Sequence, residues 1–294
     1  MPKITQLLDG IPAVSDQGQV AFCAVALIEG EDRDGVLRRI VVDTAHCGRR
    51  LLLVDSLARL GLSTLDIDYV LSTHAHWDHM QNIDLFINAT MLMHGEERKY
   101  AHDPAVDDWA TPSWTGYVLE QLRIQEVGDG HEIIPGVHVM EMTGHTVGSI
   151  GATVETDEGL AILTSDAFHL ASVAKTRINP LVFWNEKEAT ASIERVIEKA
   201  DLIYPGHDAP FRVLADGEVE YLKTLSFGLA GMKPAELSVE QALPPTMMPG
   251  RQDPARIEEW RRRGAQRIDE RGPVAVAYDT GLAPKPSHDW DFVK

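Results

Sequence analysis

Ser72-Thr73-His74-Ala75-His76-Trp77-Asp78-His79 decides how this chain is read. Three histidines and one aspartate fall within six consecutive positions, directly after the apolar run 67–71. On an extended backbone, residues two apart point to the same side, so His74 and His76 aim both imidazoles at one point. Asp78 and His79 follow where the pattern turns helical, and they face a neighbouring point. A tetrahedral zinc takes only three or four ligands. Side chains of this kind at this density predict half of a site for two adjacent metal ions.

The other half comes from three later positions. His145 stands in Thr143-Gly144-His145-Thr146, Asp166 in Thr164-Ser165-Asp166-Ala167, and His207 in Pro205-Gly206-His207-Asp208. Each ends an apolar, strand-like run beside glycine or another small residue, where backbone can approach closely. Loops at one edge of a sheet are where sites are built. Alone, each would read as a hydrogen-bonded residue at a strand end; together with 72–79 they read as ligands. A structural zinc, a closed tetrahedron, does not suit a set larger than four.

Around these loops the periodicity alternates. Runs 20–28 and 36–42 read as a strand hairpin across the charged turn 30–35, and 50–60 as a helix stopped by Gly61. After 67–71 the pattern is helical to Leu85. A buried strand follows at 89–93, then a short charged helix from Glu96. Residues 102–118 have no period and read as a long loop of the functional kind. Strands follow at 133–134, 137–142, 149–155 and 160–164, then an amphipathic helix over 186–200 and a strand at 202–204. This doubling predicts an α/β protein of two packed sheets flanked by helices. The character changes near Val213: a helix is expected over 216–229 and another over 254–271, whose apolar stripe is Ile257, Trp260, Ala265 and Ile268. We therefore expect a hydrolytic domain over 1–212 and a helical extension over 213–294. The stripe leaves open whether the extension covers the domain or meets a second copy in a homodimer.

Composition bounds the partners. The 294 residues carry 27 Lys+Arg against 45 Asp+Glu, a net charge of −18. Such a body repels phosphate backbones and anionic lipid, so neither nucleic acid nor a membrane is expected as partner. The longest apolar run, 20–28, is far too short to span a bilayer. Cys23 and Cys47 form no paired motif, and the first residues lack the apolar core of a signal peptide, so a reducing, cytoplasmic location is expected.

The pattern His74-x-His76-x-Asp78-His79, followed by His145, Asp166 and His207, resembles the metallo-β-lactamase-fold hydrolases over roughly residues 18–212. The resemblance implies a four-layer αββα sandwich of two mixed sheets. It also implies that His74, His76 and His145 hold one divalent ion, that Asp78, His79 and His207 hold a second, and that Asp166 bridges them. Asp43 is similar to the family's aspartate that braces the ligand loop. Zinc is the expected metal, with manganese, cobalt or iron as alternatives. His76 stands where the diiron flavoprotein branch has glutamate, neither cysteine is placed as a ligand, and no domain-sized insertion separates Asp166 from His207. The segments around Pro135-Gly136, His145 and Asp166 look most like the acyl-homoserine-lactone lactonases. That branch carries a tyrosine three positions after the bridging aspartate, where this chain has His169; Met80-Gln81 also departs from the small residues usual there.

The resemblance implies hydrolysis of a small ester or lactone, in which a hydroxide held between two cations attacks the carbonyl. Asp78 would orient it and carry a proton to the leaving group, with His169 as a second donor. A thioesterase, amidase or β-lactamase-like hydrolase, or a mononuclear iron persulfide-dioxygenase-like enzyme, is the alternative. Trp77, Trp109, Trp114, Phe168 and Trp184 are candidates for an apolar substrate wall, against the plainer reading of core packing.

Overall fold

The computed structural model of the protein describes residues 1–15, 18–105 and 108–228. In the first half, strand β1 (Lys3–Leu8) precedes a two-residue-per-strand hairpin, β2 (Val14–Ser15) and β3 (Gly18–Gln19). Then come β4 (Val25–Glu31), β5 (Leu37–Val42), helix α1 (Arg50–Arg59) and β6 (Tyr69–Leu71). Helix α2 (Trp77–Met80), β7 (Thr90–His94), α3 (Gly95–Tyr100), α4 (Thr115–Leu119) and β8 (Ile124–Val127) complete it. The second half holds β9 (Glu132–Ile134), β10 (Val137–Glu141), β11 (Ile150–Thr156) and β12 (Gly159–Ser165). Helices α5 (Val173–Thr176) and α6 (Glu186–Lys199) follow, then β13 (Leu202–Pro205), β14 (Phe211–Val213) and β15 (Val219–Tyr221).

The strands form two mixed sheets, one in the order β1-β4-β5-β6-β7-β8 and one in the order β15-β14-β13-β12-β11-β10-β9. One core lies between them: Ile28, Ile40, Val42, Leu71 and Leu92 of the first sheet meet Val137, Val139, Ala152, Val154 and Leu163 of the second. The outer face of the first sheet (Leu27, Val41, Val70, Met91) packs on Leu53 and Leu57 of α1 and Leu119 of α4. The outer face of the second (Met140, Ile162, Ile203, Phe211) packs on Val173 of α5 and on Ile193 and Val196 of α6. Helices outside, sheets inside, four layers: the expected αββα sandwich is present. Central strands buried on both faces explain the unbroken apolar runs that flank each ligand loop.

The expected helix over 186–200 is present as α6 and is capped at its start by Asn185, whose Oδ1 accepts from Lys187 N and Glu188 N at 2.9 and 3.1 Å. The helix expected over 50–60 is present as α1, burying Leu53 and Leu57, and three expectations are corrected. The run 20–28 becomes a strand only at Val25, because Ala24 N donates to Gly206 O of the opposite sheet at 2.6 Å. The loop 102–118 contains α4. The helix expected over 216–229 is replaced through Tyr221 by strand β15, since Gly217 at φ +83° closes a tight turn between Leu214 and Glu218. The second sheet therefore runs past residue 212. The helix expected over 254–271 lies outside the described residues. Among the described residues no helix is long and apolar enough to cross a membrane.

Candidate metal centre

The seven ligand-type residues singled out above follow strand ends, in loops or on short helical turns, as for Asp78 and His79. β6 ends at Leu71 and delivers His74 and His76, and the short helix α2 begins at Trp77 and carries Asp78 and His79. His145 follows β10, Asp166 follows β12, and His207 follows β13. His74, His76, Asp78, His79, His145, Asp166 and His207 are all buried. They gather in two groups that could hold a metal ion, His74-His76-His145-Asp166 and Asp78-His79-His207, and a third, Asp166-His169-His207, overlaps both.

In the first group His145 Nε2 lies 3.3 Å from His74 Nε2 and 3.0 Å from His76 Nδ1. His145 Nδ1 is 2.6 Å from the Leu181 carbonyl, which can only accept, so the proton is on Nδ1 and Nε2 presents a lone pair. In the second group His79 Nε2 lies 3.4 Å from His207 Nε2 and 3.5 Å from Asp78 Oδ2. His79 Nδ1 is 2.8 Å from Asp43 Oδ2, so its proton too points away from the cluster. Asp166 spans both groups: Oδ1 is 3.4 Å from His79 Nε2 and 3.3 Å from His207 Nε2, and Oδ2 is 3.6 Å from His145 Nε2. Asp166 Oδ1 is buried with no hydrogen-bond partner. Converging lone pairs and an orphaned carboxylate oxygen are what divalent cations satisfy, so these residues fit the group the sequence implies.

The electrostatics agree. Burial, aided by neighbouring histidines, pushes His74 well below the usual imidazole range and His145 down to about 3. Burial also acts to lower His207, but the Asp166 and Asp78 carboxylates outweigh it and lift the ring to about 9. Burial would raise Asp78; the adjacent His79 and His207 hold it down to about 2. The carboxylates are ionised and two of the five ligand rings, His74 and His145, are neutral. Burial acts to lower His76, His79 and His207, but the surrounding carboxylates outweigh it and lift them, and these rings must give up a proton when a cation binds.

Asp43 ends β5 in the left-handed region at φ 59°, a conformation that costs a non-glycine residue energy unless its surroundings fix it. They do. Its carboxylate accepts from Thr73 N at 3.0 Å, Thr73 Oγ1 at 2.9 Å and Ser165 Oγ at 3.1 Å besides His79. Ser165, itself at φ 46°, belongs to the second sheet, so Asp43 ties both sheets to the His79 ring.

His169 Nδ1 stands 3.2 Å from Asp166 Oδ2, and the His169 ring is 4.5 Å from that of His207. It lines an open pocket whose floor is His76, Asp78, Asp166 and His207. The pocket is also lined by Trp77 and Trp109, by Leu170, Pro180 and Leu181, and by Ile11, Pro12, Ala13, Gln19 and Ala21 from the N-terminal segment. The remaining aromatic candidates are elsewhere. Phe168 is fully buried and packs on Phe211 in the core between the second sheet and its helices. Trp114 is 48% exposed on a separate groove, and Trp184 is 50% exposed and off the pocket wall.

Sequence reasoning missed several residues. Phe183 stacks edge-on against His76 and His145 at 4.9 and 5.6 Å. Asp108 lies 3.4 Å from His76 Nε2 and is fixed by Tyr100 Oη at 2.8 Å and Thr111 Oγ1 at 2.7 Å. Glu97 is completely buried and bonds two ligand loops. Asn179 Nδ2 holds the Asp166 carbonyl at 2.7 Å, and Asn82 Nδ2 holds the carbonyls of Thr44, Ala45 and His46 at 2.8 to 3.0 Å. None of them carried a local signal, because each depends on a partner distant in the chain.

Fold and site together are those of a metal-dependent hydrolase. The superfamily model for metallo-beta-lactamases matches residues 20–207, and the chain belongs to that superfamily. It is 30% identical over 188 residues to metallo-beta-lactamase domain-containing protein 1 of Xenopus laevis, covering 63% of this chain and 72% of that protein. It is 26% identical over 161 residues to an N-acyl homoserine lactonase of a Bacillus species, covering 53% of this chain and 62% of the lactonase. Among solved structures, a variant of B. thuringiensis AiiA with N-decanoyl-L-homoserine bound superposes with a TM-score of 0.53 at 21% identity, over 70% of this chain and 92% of AiiA. AidC, a dizinc quorum-quenching lactonase, superposes at 0.52 and 16% identity, over 70% and 81% of the two chains.

Proposed function

We propose that this chain hydrolyses a small ester or lactone with two divalent cations, zinc by preference. The observation that carries the reading is Asp166, whose two oxygens are directed to the two histidine groups. His74, His76 and His145 would hold one cation, Asp78, His79 and His207 the other, and Asp166 both. When bound, such a pair brings the pKa of a shared water close to neutrality and polarises a carbonyl oxygen, which is worth several kcal/mol in the transition state.

This chain's own groups do the rest. Asp78, on the pocket floor, orients the attacking oxygen and passes a proton to the departing alkoxide. His169 lines the same pocket, in the place where the lactonase pattern has tyrosine, and with its Nε2 protonated it donates a hydrogen bond to the substrate. Trp77 and Trp109 form the apolar wall along which an acyl portion lies, and the strands around Ile11 and Ala21 shield the carbonyl from bulk water. Trp114, Phe168 and Trp184 take no part. The full second group favours this reading over a mononuclear iron oxygenase, which would need only the first. The unpaired Cys23 and Cys47 are consistent with the cytoplasmic setting included in the proposal.

The test is metal analysis followed by a hydrolysis screen over lactones, esters, thioesters and β-lactams with the metal-loaded protein. About two cations per chain and turnover concentrated on lactones or esters are expected. One iron per chain with oxygen uptake, or no hydrolysis of any acyl substrate, overturns the reading.

A further inference from the structure

Two of the three ligand loops that supply the first histidine group meet a carboxylate that touches no ligand atom of that group. Glu97 lies on α3 with its side chain completely buried. Its Oε1 accepts from Ala75 N at 2.8 Å, the peptide between His74 and His76. Its Oε2 accepts from Thr146 Oγ1 at 2.7 Å and from Gly148 N at 2.9 Å, in the loop that begins with His145. The loop presses directly on α3: a Cβ added to Gly148 would fall 2.4 Å from Glu97 N, so only glycine permits this approach. Ser149 Oγ closes the loop on itself, accepting from Thr146 N at 3.1 Å.

The consequence is a division of labour. His74 and His76 come from the first sheet and His145 from the second, and one carboxylate joins the backbones of both loops. The second group is joined across the sheets by a different carboxylate, Asp43, which bonds Thr73, His79 and Ser165. We propose that Glu97 is the positioning residue that sets the spacing of His145 against His74 and His76, and so governs affinity at the first cation site but not at the second. The inference rests on the two-cation reading above.

Glu97→Gln tests it. Glutamine keeps one acceptor for Ala75 N but turns an NH2 group toward two donors, Gly148 N and the Thr146 hydroxyl, so the strap opens on one side. Cobalt titration of the metal-free protein, followed by absorption and by metal content after gel filtration, reads the sites separately. His145→Ala and His207→Ala provide the reference spectra of proteins impaired at the first and the second site. Wild type should take two cobalt ions. Glu97→Gln should bind one as wild type does and the other 10–100-fold more weakly, with the spectrum of His145→Ala. Thr146→Val, which keeps the carboxylate and removes one donor, should shift the same site in the same direction by less. It serves alone if circular dichroism of metal-free Glu97→Gln shows loss of the fold. Two ions at wild-type affinity in the folded variants, or a spectrum matching His207→Ala, overturns the inference and leaves the two-cation reading standing. Wild-type protein that takes fewer than two ions sinks that reading itself, and the inference with it.

Discussion

Individual residues here carry separable tasks. His169 touches the pocket and Asp166 and stands outside the two groups that contain the seven ligands, although it forms an overlapping third with Asp166 and His207. His169→Ala should therefore lower kcat by about 100-fold while metal content stays unchanged; steady-state kinetics beside metal analysis checks this, and unchanged kcat removes His169 from the mechanism. Asp43 is the reverse case. Its carboxylate faces donors from Thr73, Ser165 and His79, so Asp43→Asn points an NH2 group at donors. That should cost about 3 kcal/mol, read as a Tm lower by roughly 5–10 °C, with weaker binding at the His79 site. Titration acts at this scale too. His207, lifted to about 9, has an unfolded value near 6.5, so it stabilises the metal-free fold fully below that value and ceases to as pH rises through 9. His145, held down to about 3, acts in the opposite sense, its contribution being lost as pH falls below the same unfolded value. Metal-free protein should be most stable near pH 6.5, with a loss on the order of 3 kcal/mol on the alkaline side from His207. Urea unfolding across pH in the presence of chelator measures it, and a stability still rising at pH 9 would contradict it.

At the level of strands and helices, what was legible in the chain was whatever depends on local order. The seven ligand-type positions stand in short motifs at the ends of apolar runs, and strand ends converge on one edge of any such sandwich. Glu97 and Asp108 were illegible because their partners, Thr146 and Gly148 for one and His76 and Tyr100 for the other, are distant in sequence. Among the aromatic residues, Trp77 and Trp109 line the pocket while Phe168 does not. Phe168 and Phe183 are alike as residues, yet the turn after β12 sends the first into the core, while a backbone hydrogen bond from Phe183 N to His145 O holds the second against two ligand rings. The turn at Gly217 overrode a helical composition in the same way. One strand-end prediction is sharp. Gly206 follows β13, and a Cβ there would lie 2.0 Å from Asp166 Oδ1 and 2.9 Å from the Ser165 backbone. Gly206→Ala should therefore displace Asp166 and reduce uptake at both cation sites, an outcome metal analysis reads directly; full occupancy would mean the carboxylate has room to move.

Across the whole molecule, the two sheets already share an apolar interior, and the candidate centre adds a polar seam at one end of it. Cations that bind only the folded chain raise its stability by mass action, about 4 kcal/mol at a free concentration a thousand times Kd. Chelation should lower Tm by roughly 10 °C, and zinc should restore it, as calorimetry with and without chelator would show; equal midpoints would mean that the groups bind no cation appreciably.

The provenance of the ligands has one more consequence. His74, His76, Asp78 and His79 hang from the first sheet, while His145, Asp166 and His207 hang from the second, so each group draws on both. Neither half of the gene product owns a complete pocket for an ion. The affinity of the centre is thus a gauge of how well two separately built slabs have been laid together. A substitution far away in their shared interior, at Val154 or Ile40, would be felt at the ions before it was felt anywhere on the surface.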